Sequence, residues 1–336
     1  MNRLKSAIVG CGTIFPSHAD ALCNSDLTEL VAVCDIDGEK AMAGAEKYKC
    51  RYFTDYREML ETLDFDVIHI CTPHFLHAPM AIEAMRSGRN VFTEKPISIS
   101  SSEAEEMISV SEETGKKLGV CFQNRYNNTS VRLKEILDSA ELGRIIGAKA
   151  FVTWHRDEDY YADSGWRGTW DKEGGGVLIN QAIHTLDLLQ WFLGEVDMLK
   201  GNADTRLLGK VIEVEDTAEA TIIFKNGATA LFYATNCYVT NSPTEIEIIC
   251  ENAKAFLSGD LTISYNSGEI ETIPLIDMKT GAKSYYGNGH MAIINDYYTR
   301  LLNNEEIAVD GQQGIVSVKI IEAIYESSKL GKFVEL

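Results

Sequence analysis

The stretch Ser6-Ala-Ile-Val-Gly-Cys-Gly-Thr-Ile-Phe15 constrains the fold of this chain more than any other. A short apolar run ends in two glycines two positions apart, and a helical pattern follows. Pro16 falls in the first helical turn, where a missing N–H is tolerated. Gly10 permits a tight turn, and Gly12 lets a phosphate approach the backbone. The helix beyond aims its free N–H groups and positive dipole end at the same place. Phe15 stands at the third glycine position of the dinucleotide fingerprint, so the motif is incomplete. Taken alone, the stretch also fits a plain strand, turn and helix. A second apolar run, Leu30-Val-Ala-Val-Cys34, ends in Asp35, the place where a dinucleotide site sets the carboxylate that holds the adenosine ribose. Such an acid hydrogen-bonds the 2′-hydroxyl and repels a 2′-phosphate. The next residues, Ile36-Asp37-Gly38-Glu39, add two acids, and Lys40 is the first cation. The expected cofactor is therefore NAD over NADP.

The chain of 336 residues suffices for two domains with sizeable cores. Its formal net charge of −19 argues against nucleic acid or an anionic membrane as partner. No apolar run approaches the roughly 20 residues of a membrane span. The first strand begins almost at once, which leaves no room for a secretory leader. The eight cysteines are scattered and form no Cys-x-x-Cys pair. They read as reduced core residues of a cytoplasmic protein, not as disulfides or metal ligands.

Residues 1–122 alternate strands and helices. Asp66-Val-Ile-His-Ile-Cys71, Asn90-Val-Phe-Thr93 and Leu118-Gly-Val-Cys-Phe122 are apolar without alternation, as parallel strands covered on both faces require. Gly88 and Gly115 stop helices, and Ser100 with Glu103 starts one. The expectation is a Rossmann-type α/β domain, a doubly wound parallel sheet that binds ligands at the carboxyl ends of its strands. Three of those ends are polar: Thr72-Pro73-His74 with His77, Glu94-Lys95-Pro96, and Gln123-Asn124-Arg125. A lysine at such an end, like Lys95, can reach a substrate oxygen; the bland alternative is a solvated loop lysine. No carboxylate or cysteine completes a metal site with His74 and His77, so they are expected to cap a helix or touch a cofactor.

From residue 123 to 336 the pattern changes to an α+β domain with a large, mostly antiparallel sheet. Strands are expected at 145–155, 217–224, 228–236, 245–250 and 255–257, with a hairpin through Asn226-Gly227. Helices are expected at 129–139, 287–303 and 312–330. Residues 154–170 hold Trp154, Tyr160, Tyr161, Trp166 and Trp170. Flat aromatic faces with polar tips suit a sugar ring, while core packing or a subunit contact would use the same residues. The run Gly174-Gly-Gly-Val-Leu-Ile-Asn-Gln-Ala-Ile-His-Thr-Leu-Asp187 reads as a glycine approach followed by one helix to Gly194. On a continuous helix Asn180 and His184 share a face, and Asp187 is placed to orient the imidazole.

Together these motifs resemble the glucose–fructose oxidoreductase, inositol dehydrogenase and rhizopine-catabolism (Gfo/Idh/MocA) family over nearly the whole chain. The matching residues are Gly10-Cys-Gly-Thr-Ile-Phe15, Thr72-Pro73 with His77, Glu94-Lys95-Pro96, Trp166-Arg167, and Gly174-Gly-Gly with Asn180 and His184. The resemblance implies a nicotinamide cofactor in a cleft between the two domains. It implies cofactor contacts from Gly10, Gly12, Thr13, Ile14, Phe15, Asp35, Thr72, Pro73, His77, Glu94, Lys95, Trp166 and Arg167, with no metal. It places Lys95 and His184 at the substrate, and it implies a homo-oligomer, dimer or tetramer, formed through the open sheet. Many members carry aspartate where this chain has Asn180. An amide cannot relay a proton, so Asn180 binds and orients. The expected activity is hydride transfer between nicotinamide and a secondary alcohol of a small carbohydrate-like substrate. The family also implies two alternatives, a redox-neutral NAD-using glycosidase and a regulator that binds cofactor without turnover.

Overall fold

The computed structural model describes residues 3–162, 164–276 and 289–336. The chain divides into two compact units. The first begins β1 (Leu4–Val9), α1 (Phe15–Cys23), β2 (Thr28–Cys34), α2 (Gly38–Tyr48), β3 (Arg51–Phe53), α3 (Tyr56–Thr62) and β4 (Val67–Ile70). It continues with α4 (His77–Arg86), β5 (Asn90–Glu94), α5 (Ser101–Thr114) and β6 (Leu118–Cys121). The six strands are parallel in the order β3-β2-β1-β4-β5-β6. β4 and β6 are buried along their whole length, which is what their unalternating apolar sequences require. The strand order reverses direction at β1 and β4, so the carboxyl ends of these two strands open a crevice for ligand. The helix ends follow local chemistry. Ser100 accepts the Glu103 N–H at the start of α5, and Gly115 closes that helix at φ +65°.

The second unit holds α6 (Asn128–Asp138), β7 (Ile145–Thr153), α7 (Glu158–Ala162), α8 (Val177–Asn180), α9 (Ile183–Leu193), β8 (Val196–Asp204) and β9 (Thr217–Phe224). β10 (Thr229–Thr235), β11 (Glu245–Cys250), β12 (Ala253–Ser258), β13 (Asp260–Tyr265) and β14 (Ile270–Ile273) follow, and β15 (Val334–Glu335) closes the sheet. The order is β14-β13-β12-β11-β7-β10-β9-β8-β15. All neighbours are antiparallel except β10 and β7. The β9–β10 hairpin turns through Asn226 and Gly227, with Gly227 at φ +86°. β9, β10 and β11 alternate buried and open positions, so one face of the sheet is packed and the other is open.

A single boundary near residue 122 does not describe this division. α10 (Gly289–Asn303) and the chain to Ile315 return to the first unit. The cause is burial: Tyr297 and Tyr298 are fully buried, and the Tyr297 hydroxyl donates to the carbonyls of Val91 and Lys117. α11 (Gly311–Leu330) then starts in the first unit and ends in the second. Of the helix expected at 287–303, residues 287 and 288 lie outside the described residues.

Candidate active site

At the end of β1 the backbone of Gly10 sits at φ +95°, and its N–H donates to the Cys34 carbonyl at 2.8 Å. A Cβ there would come within 2.5 Å of the Cys71 carbonyl oxygen. Gly10 thus serves both the turn and the close approach of β4. Gly12 is different. It is exposed, and a Cβ on it would meet nothing within 4 Å. Helix α1 follows with Ile14 as N-cap, no side-chain cap and no acid in its first turn. Its dipole end is offered to a ligand without a competing carboxylate. The Phe15 side chain turns into the core, edge-on to Tyr48 and 3.1 Å from where a Cβ on Gly44 would lie. Only its backbone is placed to meet a cofactor; the ring takes the third glycine position for packing.

Asp35 is held in place by two backbone donors. Cys11 N–H bonds Oδ2 at 2.7 Å and Asp37 N–H bonds Oδ1 at 2.9 Å. Lys40 pairs with Asp37 at 3.2 Å, so the nearest cation in sequence is tied to an acid. A glycine turn with open space over Gly12, an uncapped helix start and a fixed carboxylate together fit an adenine dinucleotide with a free 2′-hydroxyl.

Thr72 and Pro73 lie half-buried beyond β4. His77 is buried, with Nδ1 2.7 Å from the Pro96 carbonyl and Nε2 2.9 Å from the Thr72 carbonyl. Its ring therefore ties the loop after β4 to the loop after β5, and its nitrogens are not offered outward. Burial pushes its pKa down, against the pull of both carbonyls. Glu94, the last residue of β5, turns its carboxylate inward to His18 Nε2 at 2.9 Å. Burial acts to raise its pKa, but hydrogen bonds from His18 and His290 hold it well below the usual range. Glu94 thus supports the turn, and Lys95 lies half-buried just beyond the carboxyl end of the strand.

In the second unit the aromatic stretch and the glycine-led helix meet at Tyr160. Its hydroxyl accepts from Gln181 Nε2 at 3.1 Å and from Asn180 Nδ2 at 3.4 Å. The Arg167 guanidinium lies 4.4 Å from the Tyr160 ring centre and 4.9 Å from that of Trp166, and Arg156 stacks on Tyr160 and Trp154 at 5.0 Å. Of the other two aromatic residues, Tyr161 serves packing and Trp170 is exposed. Tyr161 is buried with Leu208, Ile212 and Val214, and Trp170 donates its indole N–H to the Glu213 carbonyl.

Asn180 also donates to Glu173, a buried acid that sequence reasoning missed. The other Glu173 oxygen accepts the Gly168 N–H. Burial raises the Glu173 pKa to about 7, against the opposing pull of these donors and Arg167. Glu215 behaves alike: it accepts the N–H groups of Gly176 and Leu178, and burial lifts it to about 7. Nothing local marked either residue, since Glu173 reads as a loop acid before glycine and Glu215 sits in an acid-rich run.

Two sequence expectations need correction. The helix from Val177 is not continuous. Val177 O accepts both Gln181 N–H and Ala182 N–H, and the turn so widened separates α8 from α9. Gln181 is drawn out by Tyr160 and by Asn236. Asn180 therefore ends one helix, while His184, 8% exposed, stands in the first turn of the next. Asp187 does not orient His184. Its two oxygens bind Arg125 Nε at 2.8 Å and Nη2 at 2.6 Å in a buried fork. Burial raises the Asp187 pKa, and Arg125 opposes it.

Residues 4–122 match an oxidoreductase family with an NAD-binding Rossmann fold. Residues 130–256 match the GFO/IDH/MocA C-terminal domain. The chain is 28% identical to D-glucoside 3-dehydrogenase of Escherichia coli K12, across 99% of this chain and 97% of that protein. It is 29% identical to inositol 2-dehydrogenase of Salmonella typhimurium, across 57% of this chain and 55% of that one. The WlbA dehydrogenase from Bordetella pertussis, solved in complex with NADH and UDP-GlcNAcA, superposes with a TM-score of 0.87. It is 28% identical, with 100% of this chain and 99% of that chain covered.

Proposed function

The chain belongs to the Gfo/Idh/MocA family of NAD-binding oxidoreductases, and on that premise we propose that it moves a hydride between the nicotinamide and a secondary alcohol of a sugar, polyol or sugar derivative. When bound, the cofactor supplies the hydride chemistry; the protein supplies position and proton handling. His184 takes the hydroxyl proton in the oxidative direction and returns it in the other, because imidazole titrates near working pH. Lys95 donates a hydrogen bond to the same oxygen and stabilises the charge that develops there. Asn180, fixed by Glu173 and Tyr160, orients a neighbouring hydroxyl. The Tyr160 hydroxyl and the Arg156 and Arg167 guanidiniums stacked on the aromatic stretch line the place for the substrate ring.

The observation that carries this reading is the convergence of Asn180 and Gln181 on Tyr160 beneath Arg167. It joins the sugar-suited aromatic stretch to the segment that holds the acid–base histidine. A hydroxyl-rich ligand suits the amides and hydroxyl gathered there, and the formal net charge of −19 disfavours a strongly anionic one. Relatives named for D-glucoside and inositol oxidation support the same substrate class. Among the described residues no helix is long and apolar enough to cross a membrane. All eight cysteines are free, which suits a reducing cytoplasm. Self-association through the open sheet face, where Leu231 and Ile249 are exposed, completes the proposal.

The test is the catalytic pair. Lys95→Ala and His184→Ala should each lower kcat by on the order of 10²–10³ while NAD affinity stays nearly unchanged. The double variant should lose less than the product of the two, because both serve one oxygen. Full activity in His184→Ala would refute its role as base.

A further inference from the structure

We propose that the first unit holds a closed, four-ligand site for one zinc ion, formed by His18, Glu94, Cys121 and His290. This inference is independent of the dehydrogenase reading. The four residues come from α1, the last position of β5, the last position of β6 and the start of α10. All four are buried, and one ligand atom from each lies within 4.8 Å of every other. His18 Nε2 is 2.9 Å and His290 Nε2 is 3.7 Å from Glu94 Oε1. Ligand atoms around a tetrahedral zinc, bound at about 2.0–2.3 Å, lie roughly 3.3–3.7 Å apart. Side-chain movements of about 1 Å or less would close such a centre.

The donor set selects the metal. Two imidazoles, a thiolate and a carboxylate suit zinc, whereas magnesium and calcium require mostly oxygen. Charge balance agrees, since one carboxylate and one thiolate neutralise the dication in a buried place. The surroundings are those of a ligating histidine. His18 Nδ1 meets His69 Nδ1 at 2.9 Å, His69 Nε2 meets the Tyr298 hydroxyl at 2.9 Å, and that hydroxyl meets Ser6 Oγ at 2.6 Å. With His18 Nε2 on the metal, its Nδ1–H donates to His69, His69 Nε2–H donates to Tyr298, and Tyr298 donates to Ser6. His18 and His69 then each have one defined tautomer, as outer partners of metal-bound histidines provide. The second Glu94 oxygen accepts the Lys95 N–H at 3.2 Å, so the ion would also brace the turn that carries Lys95. With four protein ligands no position remains for a substrate, and the centre is structural.

The protein purified without an affinity tag from zinc-supplemented culture should contain about one zinc per chain by elemental analysis. Removal by a strong chelator should lower the melting temperature, and zinc should restore it. The chelated protein titrated with Co²⁺ should show the visible bands of a tetrahedral site and a thiolate charge-transfer band. Cys121→Ser should remove the charge-transfer band, and His290→Ala should reduce zinc content to a small fraction. If either variant does not fold, the wild-type metal content and cobalt spectrum decide the matter. Less than about 0.1 zinc per chain, with no thiolate–cobalt band, would mean that the four groups form only a hydrogen-bonded knot around Glu94, and the proposal fails. Zinc retained in full by both folded variants would place the ion elsewhere and overturn it equally.

Discussion

Alanine at Gly10 and alanine at Gly12 separate two kinds of glycine within one turn. At Gly10, φ is +95° and the new Cβ would lie 2.5 Å from the Cys71 carbonyl oxygen, with the Thr72 nitrogen at 2.9 Å. A left-handed backbone costs a non-glycine residue about 1–2 kcal/mol. Forcing β1 and β4 apart adds about 1–3 kcal/mol, as overpacking does elsewhere. The sum of roughly 2–5 kcal/mol corresponds to a fall in melting temperature of about 5–15 °C for a domain of this size. At Gly12 a Cβ would meet nothing within 4 Å, so Gly12→Ala should melt within about 1 °C of wild type. The same methyl would stand where a pyrophosphate must approach, and NAD affinity should fall by about tenfold or more. Differential scanning fluorimetry gives the first quantity, and titration calorimetry with NADH gives the second. Wild-type NADH affinity in Gly12→Ala would refute the placement of the phosphate. An unshifted melting point in Gly10→Ala would refute the close approach of the two strands.

Asp35→Ala should narrow the preference for NAD over NADP, read as the ratio of the two kcat/KM values; comparable turnover with NADP in the wild type would contradict the ribose assignment. Glu173 is raised from an ordinary 4.5 to about 7 in the folded state, so the native chain binds more protons than the unfolded chain between those values. Its contribution to stability is complete below about 4.5 and is lost as pH rises toward 7. Glu173→Gln should therefore flatten the decline in denaturant midpoint between pH 5 and 7, and an unchanged slope would show that Glu173 is ionised throughout. The same variant leaves one acceptor oxygen for two donors, Asn180 Nδ2 and Gly168 N–H, so it should loosen Asn180 and raise KM for the substrate more than it lowers kcat.

The first sheet was legible because its central strands are buried on both faces and leave continuous apolar runs, as in Val67–Ile70. β3 escaped notice because it is a three-residue edge strand with only Phe53 buried. β8 was hidden by its open face, which intersperses Lys200, Asn202 and Asp204 among the packed positions. The break between α8 and α9 could not be read locally. Asn180 and Gln181 fit a continuous helix as well as a broken one, and the causes, Tyr160 and Asn236, lie far away in the chain. Asp187 was misread for the same reason: helical spacing offered His184, but Arg125 supplied a stronger partner from another segment. Glu173 and the His18–Glu94–Cys121–His290 cluster belong to this class as well. Each needs residues that only the folded chain brings together, whereas Gly10, Asp35 and Lys95 follow from the rules of strand ends.

The most direct test is a panel of glucosides, inositols, free sugars and nucleotide sugars, each incubated with the wild-type protein and NAD, with NADH absorbance and products measured together. At least one neutral sugar or polyol should yield NADH and a ketone one for one. Glycosidic cleavage without net NADH would contradict hydride transfer as the net reaction. Binding of NADH with no turnover on any member would favour a regulator, and tight binding of sugar phosphates alone would overturn the neutral substrate.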